Sequence, residues 1–539
     1  MVSWTIKTAT YLLLYGGFLT FTSLSASPKN VVDLGYAQYK GNLTFPNAVA
    51  YLGIPYAEPP VDDRRWRTPL SLNAARVHAE AGGKIVDASE YPECCVQGTT
   101  GSGDAGGAGS EDCLKVNVYA PAGAKPSDKL PVLVYIHGGG YVYGNPRNWP
   151  FDHWVHQSPN VVIVSVYYRL DSFGFLSHPS FASNPSLGDL NVGFQDQTEA
   201  LKWVQKHIGA FGGDPARVTI NGESAGGSSI ELHLVAPGQD GLFSGAIAQS
   251  VYRTPLPSPA QQEPLFDHFA QTAGCGDGSL STQMACLRRA SISALARAQD
   301  AAFNGSYNSF HPVLDGKTIT ELPTVSIQKG QFQRVPLMVG ACSNETLSGG
   351  PIEQSLPAFF PQLTSSDIAE YEEEYPASDF DSEAQQQQVA TGESELICAR
   401  AIMGGAFAKK TKAFTYRYNQ PNPTSGSSAV SHAAENWMMF LGSNTGFNGT
   451  TTFTSMTPTE TAFAEELIAY WLSFVRSGDP NTHKLARSPT WPAYTSSNKA
   501  RIVLQEGTPD TSGSVEEVEP ERESERCAFV EGKVLKQQN

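Results

Sequence analysis

The chain has 539 residues, of which 40% are hydrophobic and 10% aromatic, enough to fill a large apolar core. Its 37 basic and 53 acidic residues leave a formal net charge of -16, so phosphate backbones and anionic bilayers repel it, and nucleic acid is excluded as a natural partner. Length alone would allow several domains, but large α/β enzymes run as one unit, and one domain over residues 27–539 is the expectation.

At the N-terminus, Lys7 precedes the apolar run Tyr11–Phe21, and small residues follow at Ser23–Ser27. A basic start, an apolar stretch too short to span a bilayer and a small-residue end predict a cleavable secretory signal over residues 1–26, and so a secreted, extracellular protein without a stable membrane anchor. Eight cysteines suit an oxidising compartment, as do N-x-[ST] sequons at Asn42, Asn304, Asn344 and Asn448. Spacing favours two local disulfides, Cys275 with Cys286, and Cys113 with Cys95 or its neighbour Cys94. Closing each such loop contributes ~2–3 kcal/mol. There is no C-x-x-C pair and no cluster of cysteine with histidine, which argues against zinc. The glycine-rich stretch Gly98–Gly109 reads as a surface loop held at its base by the first of these bridges.

From Pro131 the elements alternate. Strands at Val132–Ile136 and Val161–Tyr168 precede a helix near Gln195–Lys206, a turn at Phe211–Arg217 and a short strand at Val218–Ile220. Further strands are expected at Val335–Ala341 and Ala413–Tyr418. Continuous apolar runs mark strands covered on both faces, which predicts an α/β fold with a large central, mostly parallel sheet and helices on both sides. The charge run Val515–Glu525 reads as a solvated surface segment.

The Val218 strand drives into Gly222-Glu-Ser224-Ala-Gly226 and then a helical segment. This is a nucleophile elbow: a sharp strand-turn-helix exposes the serine oxygen, and only glycine at the flanking positions lets the backbone turn so tightly. Such a serine needs a base, a carboxylate to orient that base and amide donors for the oxyanion. In an α/β-hydrolase these follow in the chain order nucleophile, acid, histidine. Beyond the Val335 strand only His432 and His483 remain. His483 lies in a turn-forming stretch, whereas His432 follows a strand and precedes an apolar helical run, so His432 is the candidate base. Glu345, just past the Val335 strand, is the candidate acid; Asp315, before a glycine, reads as a turn residue. The run His137-Gly-Gly-Gly140 follows a strand, and the amides of Gly139, Gly140 and Ala225 are the candidate oxyanion hole. Tyr141 is a candidate pocket wall, and Glu223 is either a tuner of the local field or a buried, hydrogen-bonded carboxylate.

With these residues in place the chain resembles the type-B carboxylesterase/lipase family of fungal secreted esterases and lipases, animal carboxylesterases and cholinesterases. The resemblance runs over nearly the whole mature chain: Tyr51–Pro60 matches the family's N-terminal motif, Glu111–Val118 its cysteine signature and Phe211–Gly226 its serine signature, with smaller matches at Pro312–Gly316 and Gly478–Asn481. It implies an α/β-hydrolase that cleaves carboxylic esters through an acyl-enzyme, with Ser224 as nucleophile, His432 as base, Glu345 as acid, and no metal or organic cofactor. The family's usual Asp-Glu-Gly string reads Asn344-Glu345-Thr346 here, and Lys115 replaces the usual Tyr or Thr. A glycan on Asn344 would block the cleft, so that sequon is expected to stay empty while Asn42, Asn304 and Asn448 are occupied. From Val96 to Asp112 no aromatic is available to cradle a quaternary ammonium, which disfavours choline esters. The short polar loop there also favours soluble esters over the long-chain triglycerides of a true lipase. A non-catalytic binding protein on the same fold is the competing class, but such relatives typically lack a triad member.

Overall fold

The computed structural model describes residues 29–97, 109–303, 310–445 and 451–539. The expected signal at 1–26, most of the glycine-rich loop, and the sequons at Asn304 and Asn448 lie outside the described residues.

Among the described residues the main sheet has 13 strands. Its centre is parallel, with Val162–Val166, Leu130–Ile136, Gly213–Glu223, Gly245–Gln249, Leu337–Cys342, Ala413–Tyr418 and Ala500–Leu504 side by side in that order. Antiparallel strands extend both edges, through Lys115–Pro121 on one side and Val515–Val518 on the other. Side chains alternate across a strand, and here both faces are apolar. Val132, Val134 and Ile136 enter one core while Leu133 and Tyr135 enter the other. That explains the unbroken hydrophobic runs: helices cover each face. The helix Ala225–Val235 contributes Ile230, Leu232 and Leu234 to the first core, and the helix Pro458–Ser477 contributes Leu467, Ile468 and Trp471 to the second. The latter helix starts with a Thr457/Glu460 capping box and stops at Gly478, whose φ of 68° is the left-handed conformation glycine adopts without a Cβ clash.

The expected helix at 195–206 spans Val192–His207, and its buried Asp196 takes a bidentate ion pair from Arg169 at 2.6–2.7 Å. The turn signal at 211–217 appears as a register break. Gly213 pairs with Leu130, pairing resumes at Val218 with Val132, and Asp214 Oδ1 accepts the Ala216 amide in between. The segment Val515–Glu525 is exposed at Val515, Glu516, Val518, Pro520, Glu521 and Glu525, but Glu519 and Glu523 reach the buried Arg400 and Arg501 at 2.6 and 2.7 Å, and Glu517 pairs with the half-buried Arg417 at 2.7 Å. Charge density along the chain marks polarity but not whether a buried arginine waits opposite.

Cys95 bonds Cys113 and Cys275 bonds Cys286. A third bridge, Cys398–Cys527, has no local spacing to announce it; it spans 129 residues and ties the helix Cys398–Ala408 to the helix Glu521–Gly532. Cys94 and Cys342 are free. Loop-closure entropy grows with loop length, so replacing Cys398 and Cys527 together by serine is expected to cost about 5 kcal/mol, against about 3 kcal/mol for the Cys275/Cys286 pair. Urea unfolding of the two double variants measures the difference, and the long-range pair should be the more damaging.

Candidate active site

The strand Gly213–Glu223 and the helix Ala225–Val235 meet at Ser224, whose φ of 59° and ψ of -123° are strained for any side chain. The flanking glycines explain how the turn is tolerated. A Cβ on Gly222 would sit 2.4 Å from the Gly226 carbonyl, and one on Gly226 would sit 2.1 Å from Ile136 O. The Ser224 amide donates to Gln249 O at 3.0 Å, locking the elbow to the next strand.

Three remote segments converge above it. The Ser224 hydroxyl donates to His432 Nε2 at 2.8 Å, and His432 Nδ1–H donates to Glu345 Oε2 at 2.8 Å. Glu345 has no solvent exposure, and its Oε1 accepts the Ser250 hydroxyl at 2.5 Å and the Cys342 amide at 3.0 Å. Buried carboxylates persist only when so surrounded by donors. The turn after Leu337–Cys342 carries Glu345, and Asn344 fastens that turn to the histidine loop. Its amide donates to Val430 O at 2.9 Å while its Oδ1 accepts the Val430 amide at 3.0 Å.

The glycine run lies beside the elbow. Gly139 and Gly140 have φ of 105° and 61°, and a Cβ on Gly138 would fall 2.5 Å from Glu223 O. His137 anchors the run from within: its ring stacks on Trp149 and Tyr168, and its Nδ1–H donates to Gly138 O at 2.8 Å. Burial pushes His137 down to about 4, so it is neutral. Tyr141 does not wall a pocket. It is fully buried, with its ring edge-on to Phe175 and its hydroxyl 3.4 Å from Ser229 Oγ, because a φ of 64° turns it under the loop. His483 is exposed, and Asp315 Oδ1 accepts the amides of Lys317, Thr318 and Ile319 in a tight turn.

The imidazole is ringed by carboxyls. Burial disfavours its cation, but the charges of Glu345 and Glu223 and the Glu345 hydrogen bond outweigh this and raise the His432 pKa. Glu223 Oε1 lies 3.4 Å from His432 Nε2, and burial pushes Glu223 up to about 8, with His432 opposing and Glu435 and Glu345 adding to the rise. Glu435 is raised too, chiefly by burial, and accepts the Cys342 thiol at 3.0 Å and Gln249 Nε2 at 3.3 Å. Sequence reasoning assigned no part to Ser250, Gln249, Cys342 or Glu435. Ser250 has no motif, and only its φ of 44° beside the elbow strand brings it to Glu345. Chemically, the arrangement offers a hydroxyl at a sharp turn beside an oriented imidazole, with glycine amides and a helix N-terminus adjacent, which is the equipment of acyl transfer.

Residues 29–530 match the carboxylesterase family, and the chain belongs to that family of carboxylic ester hydrolases. The para-nitrobenzyl esterase of Bacillus subtilis (strain 168) is 30% identical over 518 residues, covering 93% of this chain and 98% of that protein. An acetylcholinesterase of Electrophorus electricus is 28% identical over 530 residues, covering 85% and 81% respectively. The solved structure of Aspergillus niger EstA superposes with a TM-score of 0.81 at 29% identity, covering 94% of this chain and 99% of that one, and shares the α/β-hydrolase fold.

Gly226→Ala drives a methyl group into the Ile136 carbonyl, whose strand cannot yield. The variant is expected to lose about 10²-fold in esterase turnover through displacement of the elbow. Gly405→Ala, where a Cβ meets nothing within 4 Å, should be silent in the same assay.

Proposed function

We propose that this carboxylesterase is a secreted serine esterase, one domain over residues 27–539, in which Ser224 attacks an ester carbonyl. His432 takes the hydroxyl proton, and Glu345 orients the ring and stabilises the imidazolium as it forms. The Gly139, Gly140 and Ala225 amides receive the tetrahedral oxyanion. His432 then protonates the leaving alcohol, and water activated by the same ring releases the acid. The observation that carries this reading is the unbroken pair of 2.8 Å hydrogen bonds from Ser224 through His432 to a wholly buried Glu345.

Secretion is supported by three disulfides and by the exposure of Asn42, the one described sequon asparagine on an open strand surface. Asn344 spends its side chain on Val430, in keeping with an unoccupied sequon there. Soluble esters are the proposed substrates. The chain between Val96 and Asp112 is polar and lacks aromatics, the opposite of an apolar flap for a lipid surface or a cradle for choline. No helix among the described residues is long and apolar enough to cross a membrane.

Ser224→Ala should abolish covalent labelling by an organophosphonate together with turnover of a soluble short-chain ester, and persistent labelling would name a different serine. The wild-type enzyme should hydrolyse that ester faster than an emulsified long-chain triglyceride; the reverse order would make it a lipase.

A further inference from the structure

The turn that carries Glu345 is held from behind by a helix that changes pitch. Between the helices Glu383–Gly392 and Cys398–Ala408 the chain makes one π-turn, Glu393–Ile397. A π-turn inserts a residue and leaves carbonyls without helical partners, and it recurs near functional sites. Here the freed groups find one residue: Ser394 O accepts Arg253 Nη1 at 2.9 Å and Glu395 O accepts the Arg253 amide at 2.9 Å. Arg253 follows Tyr252, whose amide donates to Ser224 O at 3.3 Å. The backbone of the π-turn is therefore docked on the segment that also supports the nucleophile.

Its side chain reaches the other way. Glu395 is fully buried, yet it lies outside the triad and outside every ion pair of the molecule among the described residues. Its Oε2 accepts the Leu347 amide at 2.7 Å and the Ser348 amide at 3.3 Å, and its Oε1 accepts the Ser348 hydroxyl. The same helix meets the acid residue directly: Gln388 Nε2 donates to Glu345 O at 2.8 Å, and Gly392 passes so near that a Cβ would stand 1.8 Å from that carbonyl. The turn needs such an anchor, since Leu347, Gly349 and Gly350 are exposed and two glycines in succession hold no conformation by themselves.

We propose that Glu395 is a positioning residue for ester hydrolysis: by clamping the Leu347–Ser348 turn it keeps Glu345, two residues earlier, in hydrogen-bonding register with His432. The proposal rests on the assignment of Glu345 as the acid of the triad. Burial pushes Glu395 up to about 7, with the Ser348 and Leu347 donors and the charge of His432 pulling it back. Its hydrogen bonds give it the part of an acceptor of fixed shape. A glutamine has the same shape, and its oxygen can receive both amides.

The test is a set of variants measured in the wild-type and Glu345→Gln backgrounds of the full chain, with thermal unfolding as the check on folding. Glu395→Ala should lower kcat by about 10–100-fold with KM held within about threefold, as expected for a catalytic group displaced by about 1 Å. Glu395→Gln should restore most of the loss. In the Glu345→Gln background Glu395→Ala should cost almost nothing more, because the contact it protects is already gone. If the alanine variant does not fold, Glu395→Asp, which withdraws the carboxylate by one bond, should show the same dependence on background with a loss of about tenfold. Equal losses in both backgrounds would make Glu395 a structural residue only and overturn the proposal. So would a fully active Glu395→Ala beside a slow Glu345→Gln. A Glu345→Gln enzyme as fast as wild type would instead remove the assignment of the acid, and the proposal with it.

Discussion

A carboxylate removed from water costs several kcal/mol unless donors replace its hydration, and Glu345 is wholly enclosed. Its donors come from the Ser250 hydroxyl beyond one strand, the Cys342 amide at the end of the next, and the His432 ring on a loop after a third. Each donor belongs to a different crossover of the parallel sheet, so the carboxylate is satisfied only when strands Gly245–Gln249, Leu337–Cys342 and Ala413–Tyr418 lie in register. Once it is, the imidazole has one orientation, and Nε2 faces Ser224. The alignment of serine, imidazole and carboxylate is thus a consequence of solvating one buried charge with the fold itself.

The elbow supplies the complementary constraint. Ser224 adopts its strained angles because Gly222 and Gly226 let the strand, the helix and Ile136 close to distances that a methyl group forbids. That strain is repaid by packing of the Ala225–Val235 helix against the sheet, in which Ala225 and Ile230 are fully buried. Around the imidazole, Glu223 and Glu435 add further carboxyls, and both are driven upward chiefly by burial. The upward shifts favour their neutral forms, so Glu345, held by its hydrogen-bond donors, is the carboxylate placed to stabilise an imidazolium at His432.

Much of this was legible in the linear chain because the chemistry imposes local spacing. The elbow, the glycine run at 137–140 and the apolar strands are each contiguous, and the chain order of the hydrolase reduced the histidines to two. The contiguous signals pointed to Glu345 and His432, which the structure brings together with Ser224, without showing what holds them. Ser250, the Asn344–Val430 clamp and the π-turn at Glu393–Ile397 rest on approach between segments dozens of residues apart, and no periodicity encodes that. Tyr141 shows the reverse failure: its neighbours placed it at the site, but a positive φ turned its ring into the core. The Cys398–Cys527 bridge and the pairing of Glu519 with Arg400 were hidden for the same reason, since their partners are far along the chain.

If the buried Glu345 sets the basicity of His432, as proposed, the pH dependence of kcat/KM shows it. That ratio reports the free enzyme, in which the proposed base, His432, has to be neutral to accept the serine proton, so activity should be lost as pH falls through its pKa. Because Glu345 and Glu223 outweigh burial and raise that pKa, the acid limb should lie above the ordinary histidine value of about 6.5. In Glu345→Gln the limb should move to lower pH. An acid limb at the same pH in both enzymes would show that the buried carboxylate does not govern the base.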